Sequence, residues 1–89
     1  MSTTAPMNYN WTNNTLTYDL PSNAQGVKIK YKKDGEENWI VVFESMVTAP
    51  TSCFLPSSLG PTGIIWGATM DENSGGWGNP SEESITNLP

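Results

Sequence analysis

The feature that most constrains the fold is a strict alternation of apolar and charged side chains at residues 27–32. The odd-numbered positions are apolar and the even-numbered ones are lysines: Val27, Ile29 and Tyr31 alternate with Lys28, Lys30 and Lys32. Successive side chains of a β-strand point to opposite faces, so this pattern predicts a half-buried antiparallel strand. The three lysines are expected on its outer face.

Similar short runs, separated by turn residues, fill the rest of the chain. Seven Pro and eight Gly punctuate the sequence, and no window keeps a helical period. The turn at Asp34-Gly35 favours a tight hairpin. Strands are predicted at 7–11, 15–20, 27–31, 39–43, 52–55, 64–70 and 82–86. Such spacing is typical of a β-sandwich, and we expect a single all-β domain over residues 1–89.

The charge balance limits the classes of partner. The chain has nine acidic residues against four lysines, no His and a formal net charge of −5; Arg is also absent. Phosphate contacts need a cationic surface and usually Arg, and an anionic membrane needs a basic stripe. We therefore expect neither nucleic acid nor membrane as a partner. The four lysines all lie within residues 28–33, which predicts a local basic patch on an acidic body.

The residue types that usually carry catalysis are missing or poorly spaced. Without His, no mechanism that needs a histidine base is available. The single cysteine, Cys53, lies in an apolar context and is expected to be buried rather than nucleophilic. The adjacent acids at 71–72 and 82–83 would point to opposite faces of a strand, and no calcium-loop spacing is present. We expect a non-catalytic protein with no cofactor and no metal.

Residues 68–82 resemble part of a known family. Ala68 is followed by Asn-Ser-Gly-Gly-Trp-Gly-Asn-Pro-Ser-Glu at 73–82, which is similar to strand F, the F–G loop and the start of strand G of a fibronectin type III domain. The alternation at 27–31 resembles strand C, and the Leu-Gly-Pro at 59–61 resembles the turn between strands E and F. The resemblance covers essentially the whole chain. It implies a seven-stranded antiparallel β-sandwich, fibronectin type III or immunoglobulin-like, without an active site.

Two positions depart from that family pattern. Leu20 stands where the family has a core Trp on strand B, and no Tyr follows the Leu-Gly-Pro turn. Trp11, Trp39 or Trp66 are then expected to fill the missing core volume. Alternation along the predicted strand at 64–70 places Trp66 in the interior.

The loop before the last predicted strand is one candidate interaction site. It contains Asn73, Gly75, Gly76 and Trp77, and an aromatic flanked by glycines can be an exposed anchor of the kind that dominates interfaces. The alternative, which we prefer, is that Trp77 packs onto the sandwich and pins the loop.

The lysine row is the second candidate site. Lys28, Lys30 and Lys32 form a basic patch that could steer an acidic partner. The simpler interpretation is a solvated face of an exposed strand.

These observations predict that the chain is a structural and protein–protein interaction module. We expect a small accessory protein that decorates the capsid or tail of a virus particle, such as a bacteriophage, and is made in the host cytoplasm, since residues 1–6 lack a signal-peptide pattern. One alternative is a spacer or adhesion module of an extracellular or cell-surface protein. Another is a carbohydrate-binding module that stacks a surface glycan on two coplanar exposed aromatics among Trp39, Trp66 and Trp77.

Overall fold

The computed structural model describes residues 5–60, 62–70 and 76–86. Within these ranges the chain is all-β, with seven strands, one short 3-10 turn at Ser57–Leu59 and no α-helix. The strands lie close to their predicted positions, which confirms the interpretation of the alternating runs. They are β1 (Met7–Thr12), β2 (Thr15–Asp19), β3 (Gly26–Lys33), β4 (Ile40–Ser45), β5 (Ser52–Phe54), β6 (Gly63–Met70) and β7 (Ser81–Ile85).

The strands form two antiparallel sheets that pack as a sandwich. The three-stranded sheet has the order β1-β2-β5 and the four-stranded sheet the order β4-β3-β6-β7. Strand β3 pairs with β6 without a register shift from Gly26↔Met70 to Lys33↔Gly63, and with β4 on its other side. Strand β3 is therefore central in the larger sheet. No helix in the described ranges is long and apolar enough to cross a membrane.

Side chains of one parity fill the space between the sheets. Leu16 on β2 and Ile29 on β3 are fully buried, and Cys53 on β5 is also buried, as the sequence predicted. Burial of one such aliphatic side chain stabilises the fold by roughly 1.5–3 kcal/mol. The buried cluster consists of Tyr9, Leu16, Tyr18, Val27, Ile29, Tyr31, Cys53, Leu55, Leu59, Ile65 and Ile85.

Hydrogen bonds join β1 and the residue before it to β7 and the residue after it; the two strands belong to different sheets, so these bonds close one side of the sandwich. The Ser81 hydroxyl donates to the Pro6 carbonyl at 2.5 Å. Since that bond uses the Ser81 proton, the Tyr9 hydroxyl is the donor in its 2.6 Å contact with Ser81 Oγ. The Trp11 indole N–H donates to the Thr86 carbonyl at 3.0 Å. The two sheets are thus linked by polar contacts as well as by the core.

The predicted hairpin between β3 and β4 is confirmed. Gly35 has φ of 84°, a conformation that glycine adopts without the steric cost of a side chain. The Glu36 N–H donates to the Lys33 carbonyl at 3.0 Å and closes the turn. This turn positions the segment before β4, which carries Trp39.

The prediction that Trp66 lies in the core is wrong. Ile65 and Trp66 are neighbours on β6, so they face opposite sides, and it is Ile65 that is fully buried. Trp66 pairs with Lys30 across the sheet and is half-buried on the outer face. Trp39 also contacts lysines of that face. Of the three tryptophans expected to fill the core, Trp11 packs against the buried cluster, as does Leu20.

Candidate interaction surface

The outer face of the four-stranded sheet displays the lysine row. Because Val27, Ile29 and Tyr31 are buried between the sheets, the intervening residues of β3 must point away from the core. Their side chains are half-buried. The residues that face outward are Lys28, Lys30 and Lys32.

Three tryptophans lie among these lysines. Trp66 comes from β6, and its ring centroid is 3.9 Å from Lys30 Nζ. Trp39 precedes β4 and lies 5.8 Å from Lys30 Nζ and 5.3 Å from Lys32 Nζ. We call the set formed by Lys28, Lys30, Lys32, Trp39, Trp66 and Trp77 the lysine–tryptophan face.

Trp77 lies at the other end of this face. Its ring centroid is 5.9 Å from Lys28 Nζ, and the side chain is half-buried. The neighbouring Gly78 N–H donates to the Thr69 carbonyl at 2.9 Å, which holds this segment against β6. Ala68, the partner of Lys28 on the same face, is fully buried. The geometry favours Trp77 packing on the sheet over a freely projecting anchor.

Attraction between the ammonium groups and the indole rings stabilises the arrangement. A lysine within about 6 Å of an aromatic centroid gains roughly 0.5–1 kcal/mol at an exposed site. The Lys30–Trp66 pair, at 3.9 Å, is the closest of the four contacts, and the others range from 5.3 to 5.9 Å. Lys30 lies over two rings and is therefore the central cation of the face.

Few carboxylates of the described residues lie near this face. Glu44 on β4 pairs with Lys28 at 3.9 Å and is the only carboxylate within ion-pair distance of a lysine in the described ranges. Both side chains are partly exposed, so the pair contributes little to stability. Glu82 on β7 lies opposite Trp66 in the register and is exposed. The face is therefore a cationic and aromatic surface on a chain of net charge −5.

The structure brings together four of the seven predicted site residues. Lys28, Lys30, Lys32 and Trp77 lie on one face. The sequence alone predicts the lysine row and the Trp77 loop as two separate candidate sites. Gly76 lies next to Trp77 in the chain. Asn73 and Gly75 lie outside the described residues.

Two further members of the face were missed as partners of the lysines. The sequence alone predicts Trp66 in the core, and it offers both Trp39 and Trp66 either for the core or for glycan stacking. The parity of Trp66 relative to Ile65 is visible in the sequence. The β3–β6 register that sets Trp66 opposite Lys30 is not.

Cys53 and Tyr18 form the other chemically notable contact, on the inner side of the three-stranded sheet. Burial raises the pKa of the Cys53 thiol to about 11, and the hydrogen bond from Tyr18 opposes this only in part. Burial, with the neighbouring thiol, also raises the pKa of Tyr18. The Tyr18 hydroxyl has no well-formed hydrogen bond within the described ranges, so its contact with the sulfur is a weak one. A buried neutral thiol is a poor nucleophile.

In the described part of the chain, no three His, Cys, Asp or Glu side chains converge in a way that could hold a metal ion. The carboxyl pair at 71–72 lies outside that part.

No protein-family model matches the chain, and no curated protein or solved structure does either.

Proposed function

We propose that this chain is a non-catalytic protein-interaction module that binds its partner through the lysine–tryptophan face. The observation that carries the proposal is the placement of Lys28, Lys30 and Lys32, three of the chain's four cationic side chains, among three tryptophans on one sheet face. Tryptophan is enriched among the residues that dominate protein interfaces. The cations around it give the face an electrostatic preference for acidic partners.

The fold of the module is proposed to be of the fibronectin type III kind. Strand β4 pairs with β3 and not with β5, whereas the constant immunoglobulin type places its fourth strand beside the fifth. A tyrosine hydroxyl also contacts the turn that leads into β6, since Tyr31 donates to the Gly60 carbonyl at 3.3 Å. That contact supplies from β3 what a tyrosine after the Leu-Gly-Pro turn supplies in the family.

A finer proposal concerns the partner. We propose that it belongs to a capsid or tail, on which the chain is present in many copies as an accessory protein, after synthesis in the host cytoplasm. Support comes from the sequence resemblance and the small acidic sandwich. The test is co-sedimentation of the chain with particles from its source, with light scattering of the chain alone as reference. A chain that stays monomeric and binds no particle would favour a spacer or adhesion module instead.

A substitution experiment tests the binding face itself. Proteins from the source are retained on the immobilised chain and compared with those retained by the K30Q/K32Q variant. A matched control, N10D/T15E, lowers the net charge equally at exposed positions of the other sheet. A partner that binds through the lysine–tryptophan face is retained by the original chain and the control but lost by K30Q/K32Q. Equal retention by all three contradicts the proposal.

Glycan binding is a second candidate function, favoured by one observation. Trp39, Trp66 and Trp77 all lie toward the same outer sheet face through their lysine contacts, which gives a sugar several indoles on one side of the molecule. Against it, Lys30 Nζ already lies 3.9 Å from the centroid of Trp66. Binding to a neutral oligosaccharide that survives in K30Q/K32Q but is lost in Trp39→Ala would favour this function over protein binding.

A further inference from the structure

The lysines of the face form an evenly spaced row. Alternate residues of a β-strand are roughly 6.6–6.8 Å apart, and Lys28, Lys30 and Lys32 are alternate residues of one strand. The β3–β6 pairing has no register shift over this stretch. The bulge next to Lys30 is in the pairing with β4, where Ile29↔Phe43 is followed by Lys30↔Val41. The row therefore has the repeat of an ordinary extended strand.

The tryptophans limit the motion of these ammonium groups before any partner arrives. Lys30 lies over Trp66 and Trp39, and Lys32 over Trp39. A free lysine side chain loses rotamer entropy when it is immobilised in an interface, and a side chain already held in place loses less. The face is thus pre-organised to receive negative charge at fixed positions.

Within the described part of the chain, the charge on the row is only partly neutralised. Lys28 pairs with Glu44 at 3.9 Å, while Lys30 and Lys32 have no carboxylate within ion-pair distance in the described ranges. Two of the three positions are therefore open to a ligand's carboxylates, and the third is shared with Glu44.

We infer that the ligand of the lysine–tryptophan face is an extended acidic peptide segment with Asp or Glu at alternate positions, lying along β3. This inference rests on the proposed function. An extended peptide presents every second side chain on one side with the same repeat as the lysine row. Its carboxylates can then meet successive ammonium groups, which lie over the indoles, while its intervening small side chains point away from the face. Acids in adjacent pairs would direct half of the charge away from the face.

Two synthetic peptides of identical composition test the spacing. One repeats Ser-Glu four times and the other repeats Ser-Ser-Glu-Glu twice, both with blocked ends. Affinity is measured by calorimetry and by tryptophan fluorescence at low ionic strength. We expect the alternating peptide to bind about fivefold tighter, equivalent to about 1 kcal/mol and to one additional ion pair.

Variants of the chain test whether the preference for the alternating peptide depends on the lysine row. K30Q/K32Q should lose the preference, K30R/K32R should keep it, and N10D/T15E should bind like the original chain. Glu44→Gln should tighten binding of the alternating peptide about two- to threefold, because it frees Lys28 and removes a repelling carboxylate. Thermal unfolding of each variant shows whether it is folded under the assay conditions.

Three outcomes would overturn the inference: equal affinity for the two peptides, no measurable binding of either, or tighter binding of an oligogalacturonate with the same number of carboxylates. These are separable from failure of the proposed function. If the peptides are not distinguished but K30Q/K32Q still loses the retained protein partner, the face binds protein with another geometry. If K30Q/K32Q keeps that partner, the proposed function itself fails.

Discussion

The Tyr31 hydroxyl donates a hydrogen bond to the Gly60 carbonyl at 3.3 Å. Tyr31 is fully buried on the central strand β3, and Gly60 lies in the connection that crosses from β5 in one sheet to β6 in the other. The contact therefore ties the crossing connection to the middle of the larger sheet.

Two substitutions of Tyr31 should distinguish the contribution of its hydroxyl to stability from that of its ring. Tyr31→Phe is expected to lower the free energy of unfolding by about 0.5–1 kcal/mol, the lower part of the usual range, because the bond is long. Tyr31→Leu should cost about 2–4 kcal/mol, since it also removes buried ring volume. Urea unfolding measures both. Equal losses in the two variants would show that the ring adds nothing beyond the hydroxyl.

A second prediction concerns the close approach of Tyr9 to Gly67. A methyl group on Gly67 would overlap the Tyr9 hydroxyl and lie 3.2 Å from Tyr9 Cζ and from the Pro6 ring. Gly67→Ala should therefore cost about 2 kcal/mol or more through overpacking. Tyr9→Phe alone should cost about 1 kcal/mol, because it removes the hydrogen bond to Ser81.

The double variant distinguishes steric overlap from other causes. With the Tyr9 oxygen absent, the new methyl group has more room, so the loss should fall short of the sum of the single losses by about 1 kcal/mol. Gly76→Ala is the matched control, since no atom of the described residues, its chain neighbours apart, lies within 4 Å of the added methyl position. It should be close to neutral and additive with Tyr9→Phe. Additive losses for Gly67→Ala and Tyr9→Phe would contradict a steric overlap between the added methyl group and the Tyr9 hydroxyl.

The Lys30–Trp66 contact makes a third prediction. Lys30→Met keeps most of the side-chain length but removes the ammonium group 3.9 Å from the ring, and is expected to lower stability by about 0.5–1 kcal/mol. Lys33→Met is the control, because Lys33 makes no such aromatic contact in the described ranges. A double-mutant cycle with Trp66→Leu measures the pair directly, and a coupling energy near zero would argue against a stabilising contact.

The strands could be predicted from the sequence because their signal is local. The alternation around Ile29 and the turn at Gly35 involve residues close together in the chain, so parity and turn chemistry are enough to locate them. The all-β architecture of the described residues, with its seven strands, follows from such segments. The sheet order does not, because it depends on pairing between distant strands such as β3 and β6.

The lysine–tryptophan face shows where local reasoning ends. Alternation along the predicted strand at 64–70 places Trp66 in the interior, yet in the structure its neighbour Ile65 occupies the inward-facing position. The contact with Lys30 depends on the β3–β6 register, and the one between Lys28 and Trp77 depends on how the chain after β6 lies on the sheet. Neither contact can be predicted from a short segment of sequence. The sequence predicts the lysine row and Trp77 as candidate sites. Only the tertiary structure shows that they lie on the same face.

The last prediction follows from the buried thiol. Burial raises the pKa of Cys53 from 9.0 to about 11, so above pH 9 the unfolded chain loses the thiol proton while the folded chain retains it. Stability should therefore be unaffected by this group below pH 9 and fall above it, by about 1 kcal/mol per pH unit until pH 11. The pKa values of Tyr9 and Tyr18 are also raised by burial, which adds a decline above about pH 10. Urea unfolding between pH 8 and 11 measures the slope, and Cys53→Ala should remove the part that begins near pH 9. An unchanged slope in that variant would mean that Cys53 ionises equally well in the folded chain.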